Sequence, residues 1–319
     1  MAQSATDFQS FSGGPIASAD PQGPGGVKAR SPKQIFWERF KDDKLALVGA
    51  GMVLFMVIVA LMAPIFENIV GHPYTEQYRQ DLLNDFGTPK GPNSEFLFGG
   101  DQLGRDLFVR VFYGARVSLF IAIVATGIEI FVGVLLGMLA GFRKGWVDAL
   151  ISRFIDLTLS IPALLLAISL GIVLDPSKGL VIAIISFFGW PYVARIVRGQ
   201  TLSLREAQFV EAAYSVGATS RWIMLKEILP NLIAPIIIYS TLIIPINIIF
   251  EASLSFLGVG VQNPEASWGE MLSNAVDYVS YGAAWWYMFY PGLALFITVL
   301  GFNLLGDGLR DALDPKTAR

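Results

Sequence analysis

Long apolar runs separated by polar stretches dominate the chain, and six of them come close to the ~20 residues that a helix needs to cross a bilayer. They are Leu45–Phe66, Val117–Gly141, Ile155–Leu174, Leu180–Val197, Leu232–Phe256 and Met288–Leu305. None alternates apolar with polar positions as a membrane-spanning strand does. The pattern predicts an all-α, polytopic membrane protein with six transmembrane helices. Ahead of the first span (45–66), Ser31, Pro32 and Gln34 form an N-cap, a proline at the first helical position and a weak capping box. They predict a short helix over 32–44. Ile35, Phe36 and Phe40 against Lys33, Arg39, Lys41 and Lys44 make it amphipathic, so it is expected to lie at the membrane interface as an elbow. Residues 1–31, rich in Gly, Pro, Ser and Ala without periodicity, predict a disordered tail. They lack the charged-then-apolar order of a signal peptide.

The loop over 67–116 is too long for a simple turn. Its second half places Leu103, Leu107, Val111 and Ala115 at helical spacing, with Asp106 and Arg110 four apart. That spacing predicts a short helix with a surface ion pair, leading into the second span. The rest, 117–319, reads as a core holding the remaining spans.

Charge orients these spans, because Lys and Arg are retained on the cytoplasmic side. Lys28 to Lys44, then Arg143, Lys144 and Arg153, then Arg195 to Lys226, and finally Arg310, Lys316 and Arg319 fall on one side. The other side holds only Arg79, Lys90, Arg105, Arg110, Arg116 and Lys178. Both termini are therefore expected in the cytoplasm, and 67–116 outside the cell membrane. The stretch from Gly258 to Trp286, with Glu265, Glu270 and Asp277 but no Lys or Arg, is expected outside too. Trp285, Trp286 and Tyr287 would form an aromatic belt at the outer end of the sixth span.

Composition narrows the function. The chain is 54% hydrophobic and 15% charged, against about 25% charged in a soluble domain. With no Cys and one His, His72 in a turn-like GHPY, thiolate chemistry, an HExxH zinc site and a Ser-His triad are excluded. No catalytic or metal-ligating residue is expected. A net charge of −3 carries no nucleic-acid signature. No GxxxxGK[ST] phosphate loop occurs, so ATP is not expected to bind here.

Two polar features remain. Glu211 to Asn231 is a mostly polar stretch between apolar runs. A helix from Glu206 to Val216, a turn at Gly217, an N-cap at Thr219 and a second helix ending at Pro230 make it a helix-turn-helix outside the membrane. Ala213 and Gly217 give it a bare face, and Phe209, Trp222, Ile223 and Leu225 exceed what so short a unit can bury. A partner is implied, the alternative being a loop packed on its own helices. In the fifth span Ser240, Asn247 and Glu251 lie within about 40° of one face. A carboxylate there is costly toward lipid, so it should face protein or water. They are candidate pathway-lining residues, the other reading being hydrogen bonding between helices, an ambiguity that Glu129 shares. Pro235 and Pro245 would bend this span. Gly133, Gly137 and Gly141 form a smooth stripe for close helix packing, and Arg153 with Asp156 suggests an ion pair at a helix start.

At this point the residues resemble a known family. Glu211, Ala212, Ala213, Gly217, Leu229 and Pro230 are similar to the signature of bacterial ABC-transporter permeases. Four further stretches resemble the dipeptide/oligopeptide importer branch and its second, C-type permease: GGDQLGRDLFVRVFYGARVSL from Gly99, WPYVARIVRGQTLSLREAQFVEAA from Trp190, EASLSFLGVGVQNPEASWGEML from Glu251, and GLRDALDP from Gly308. Together they cover nearly everything after Gly99. The tail and Glu67 to Phe98 carry no comparable motif. The pattern departs at Gly100 and Val109, where the branch has Thr and Ser, and at Glu227, where it has an apolar residue or His.

The resemblance implies a type I ABC importer permease fold, with coupling helices over 206–229 docking on an ATPase. It implies as partners a homologous B-type permease, two ABC ATPase subunits carrying ATP and its magnesium, and an extracytoplasmic solute-binding protein. The pathway would lie between the two permeases, and a peptide would be the cargo. A nickel complex or a sugar remains an alternative within the family. A stand-alone secondary transporter is the alternative outside it, and that class needs paired broken helices or an ion-binding carboxylate network.

Overall fold

A computed structural model describes residues 31–313. The expected tail over 1–31, apart from Ser31, lies outside the described residues, as does the end of GLRDALDP. The chain is mostly helical and has no strands among the described residues. A reciprocal capping box starts α1 (Pro32–Asp42): Gln34 N donates to Ser31 Oγ at 3.3 Å, and Ser31 N to Gln34 Oε1 at 3.0 Å. Asp43 then ends α1 and caps α2 (Lys44–Val70), accepting from Leu45 N at 2.9 Å and Ala46 N at 3.1 Å. One extended residue thus makes the elbow. Gly71, at φ 78°, ends α2 in the left-handed conformation that a glycine adopts without strain.

The loop that follows holds a single turn, α3 (Arg79–Leu82), before α4 (Leu107–Arg143). The short helix predicted ahead of the second span is not separate from it. The apolar stripe through Leu107, Val111 and Ala115 runs into Val117 without a breaker, and one 37-residue helix forms. At 1.5 Å per residue it is about 55 Å long, well over the ~30 Å hydrocarbon thickness.

The third apolar run is bent. It is divided between α5 (Gly145–Ser160) and α6 (Ala163–Val173), which meet at 75°. Pro162 is the cause: it lacks the N–H that would continue the ladder and drives the residue before it out of helical space. Ile161 is extended, at φ −83° and ψ 125°. Next come α7 (Lys178–Arg205), the short α8 (Gln208–Ser215) and α9 (Ser220–Ile223). A π-turn over Met224–Ile228 joins α9 to α10 (Leu229–Phe256). The second helix of the polar segment therefore does not stop at Pro230, as the sequence suggested. A wider turn before the proline accommodates its ring and missing donor, and the helix passes through. The chain closes with α11 (Trp268–Ser280) and α12 (Trp285–Leu313). Five continuous helices are long and apolar enough to cross a membrane, and six if the bent pair counts as one span. One such bend, not a pair of them, is present among the described residues.

Two seams organise the bundle. Along α4, the predicted glycine stripe lies on α7, and a Cβ added at Gly137 would sit 2.5 Å from the Ala194 carbonyl oxygen. Near the start of α2 the partner is α12, where a Cβ on Gly49 would sit 2.6 Å from Leu305 N. The spans alternate in direction, so α8 and the elbow share one end of the bundle and α11 caps the other. Trp268, Met271 and Tyr287 build the core at the α11 end with Leu107, Val111 and Ala115. Val210, Ile223 and Ile228 build a second core at the α8 end with Met138, Phe142 and Val197.

Candidate docking surface and membrane cavity

The α8–α9 pair is held from one side and open on the other. Val210, Ile223 and Ile228 are fully buried against α4 and α7. The expectation that Ile223 lacks cover is therefore corrected: neighbouring long helices supply the core that this short unit cannot build. Val216 stays 85% exposed, with Trp222 and Leu225 about half exposed and Phe209 slightly less. Gly217 makes the turn at φ 83°, and Thr219 caps α9 by accepting from Trp222 N at 3.4 Å. The result is a groove of about 620 Å³, walled by Phe209, Ala212, Ala213, Val216, Trp222 and Glu227. Glu211 is exposed in the first turn of α8. Leu229 and Pro230 do not touch the groove; they begin α10, and Leu229 packs into the core beneath.

A second concavity lies among the long helices, about 590 Å³ and mostly apolar. Phe188, Tyr192, Tyr239, Ile243 and Phe250 supply much of its wall. Its polar groups are Asn247, one of the three candidate residues of the fifth span, Glu129, and the hydroxyls of Tyr192 and Tyr239. Asn247 Nδ2 donates to Thr126 Oγ1 at 2.8 Å and lies 3.1 Å from both Glu129 oxygens, tying α10 to α4. The other two predicted lining residues do not border this space. Ser240 donates to the Ile236 carbonyl at 2.6 Å within its own helix. Glu251 is fully enclosed and accepts from Ser255 Oγ at 2.8 Å. One turn beyond Asn247 the helix enters the layer packed by α11, where a Cβ on Gly269 would sit 2.5 Å from the Ala252 carbonyl. That layer closes off Glu251.

Sequence reasoning missed a third cluster, at the α11 end. Asp106 and Arg110 do not form the expected surface pair, because both are buried and face apart. Asp106 caps α4 through Phe108 N at 2.9 Å and takes His72 Nδ1 at 2.8 Å. Arg110 turns to Asp101 at 3.2 Å and Glu270 at 3.2 Å. Arg105 joins Asp101 at 2.6 Å and Asn263 at 2.7 Å. Burial pushes the Glu270 carboxyl above the usual range, with Arg110 and Arg105 pulling it back. Burial raises Asp106 as well, against its hydrogen bond with His72. Asp156 likewise pairs across helices, with Arg195 of α7 at 3.0 Å, and not with Arg153. Among the described residues no group of three or more His, Asp or Glu has the geometry to hold a metal.

Residues 133–319 match the family described as binding-protein-dependent transport system inner membrane component. Residues 31–89 match the N-terminal TM domain of oligopeptide transport permease C. The dipeptide transport system permease protein DppC of Bacillus subtilis is 39% identical over 89% of this chain and 85% of its own. The oligopeptide permease protein OppC of the same organism is 39% identical over 87% and 88%. The glutathione permease protein GsiD of Escherichia coli is 42% identical over 91% and 92%. A chain of the inward-facing MetNI methionine ABC transporter shares the fold, with a TM-score of 0.55 at 19% identity, over 65% of this chain and 98% of that one.

Proposed function

Because this chain belongs to the family of binding-protein-dependent transport system inner membrane components, we propose that it is the C-type permease subunit of an ATP-driven importer of dipeptides or oligopeptides. It forms the translocation pathway with a homologous B-type permease. Two ABC ATPase subunits, which carry the ATP and its magnesium, drive it through Glu211–Pro230. An extracytoplasmic solute-binding protein delivers the cargo. The peptide assignment follows the names of the dipeptide, oligopeptide and glutathione relatives. The Lys and Arg distribution supports a cytoplasmic position for both termini and the α8 end.

The observation that carries this reading is the open groove between α8 and α9, apolar on its rim and anchored from below. An exposed helical groove of this kind fits a partner surface. It is also mechanically connected. Val210, Ile223 and Ile228 tie the pair to α4 and α7, and α9 continues through the π-turn into α10, which carries Asn247 to the cavity. When the ATPases close on ATP, a displacement of the groove passes into α10 as a movement of packed helices and tilts the cavity wall. Asn247 and Glu129 then mark the pathway.

Two substitutions test the coupling. Gly217→Trp fills the turn and forces a side chain into left-handed backbone, and Glu211→Lys reverses the charge at the exposed start of α8. Each is expected to abolish ATP-dependent uptake in cells while the chain stays inserted at normal levels. Uptake at the unsubstituted rate with both variants contradicts the docking role.

A further inference from the structure

The membrane cavity contains a carboxyl without a basic partner among the described residues. Glu129 is fully buried in the middle of α4 and is the one charged side chain lining the cavity among the described residues. Neither Lys nor Arg pairs with it among the described residues; its oxygens meet the single Nδ2 of Asn247. A carboxylate has about four acceptor positions, so most of its capacity is unused. Holding α4 to α10 does not require a charge, since two amides would bond as well and would cost less inside a bilayer.

The side from which a ligand can approach is marked by a glycine. Gly189 of α7 lines the same cavity, and a Cβ built on it would overlap the Glu129 carboxylate. Any other residue at 189 would seal the carboxylate off or displace it. Glycine leaves only its own backbone between the enclosed carboxylate and the cavity. Around this point stand Phe188, Tyr192, Tyr239 and Phe250, whose ring faces favour a cation over an anion.

We propose that Glu129, reached past Gly189, is the binding group for a primary ammonium inside the cavity, the amino terminus of a peptide in transit. This rests on the peptide-importer reading above and adds to it a residue and a ligand chemistry. Asn247 orients the carboxylate from behind, and Gly189 is the window in front of it. The test uses the complete complex with its ATPases and binding protein in liposomes, with dialanine as the probe. Glu129→Gln keeps the size of the side chain and an acceptor for Asn247 but removes the charge. It is expected to lower dialanine uptake about tenfold, as for loss of one buried charge pair. Gly189→Ala is expected to lower uptake as much with Glu129 intact, and Glu129→Asp to restore part of it. The thermal unfolding temperature of the Glu129→Gln complex should stay near that of the unsubstituted one. Uptake unchanged in Glu129→Gln overturns the site. So does a loss that Asp does not rescue and that comes with a large fall in unfolding temperature, since that marks packing alone. An unsubstituted complex that hydrolyses ATP yet takes up no dialanine contradicts the peptide reading, and the ammonium site falls with it.

Discussion

The two ends of the bundle are built on opposite principles. At the α11 end, charges are pulled inside: Asp101, Arg105, Arg110 and Glu270 join the loop before α4 to α11 by ion pairs at 2.6 to 3.2 Å, with His72 and Asp106 beside them. At the α8 end, apolar side chains hold the short helices from below and the upper surface is left open, with Val216 almost fully exposed. A buried ionic network has one good geometry and resists deformation. An apolar anchor under an open groove tolerates sliding and offers a face to something else. In the importer reading, the first end is a rigid rim and the second is a handle.

That contrast can be broken by substitution. The largest loss of stability is expected from Arg110→Ala, which leaves Glu270 buried without its paired cation and Asp101 with Arg105 alone. Removing one partner of such a network costs about 3–5 kcal/mol, read as a fall in the unfolding temperature of the detergent-solubilised protein. Ile223→Ala empties a fully buried position under the groove and should cost about 2–4 kcal/mol by the same measurement. It should also loosen the handle and lower uptake.

Acidification separates the ends more gently. The folded-state pKa of Glu270 is raised by burial, so its contribution to stability is present at low pH and is lost as pH rises through that value. Lowering the pH from 7 to 5 should therefore favour the unsubstituted protein over Glu270→Gln. A gap that moves the other way contradicts the assignment of burial as the dominant influence. The smallest change is expected from Val216→Ser in the open groove, within about 0.5 kcal/mol of no effect on stability.

Much of this was legible from the apolar pattern. The spans were visible because a run of about 20 apolar residues has few other uses, and the elbow because Ser31 and Gln34 form a cap whose geometry is local. The relationship itself extends further than the motifs indicated, since residues 31–89 match a permease domain where no signature stood out. The misses share a cause: each depended on what lies across the chain. Pro162 sits in an otherwise unbroken apolar run, and hydrophobicity conceals the bend it imposes. Asp106 and Arg110 are four apart, which reads as a surface pair until Asp101, His72 and Glu270 arrive from elsewhere. Asn247 and Glu251 do share a face of α10, yet only Asn247 borders the cavity, because the layer at Gly269 covers the next turn. In the sequence Glu129 shares the ambiguity between pathway lining and interhelical hydrogen bonding, and its neighbour Gly189 carries no signal at all.

The central claim is that the groove between α8 and α9 is covered by an ATPase. The chain has no cysteine, so Val216→Cys would place a unique thiol on the groove's most exposed wall. In the complex purified from membranes, a short thiol-to-amine cross-linker should join that cysteine to an ATPase subunit, and a water-soluble maleimide should label it only after the ATPases are stripped away. Rapid maleimide labelling in the intact complex, with no cross-linked ATPase, would contradict the account.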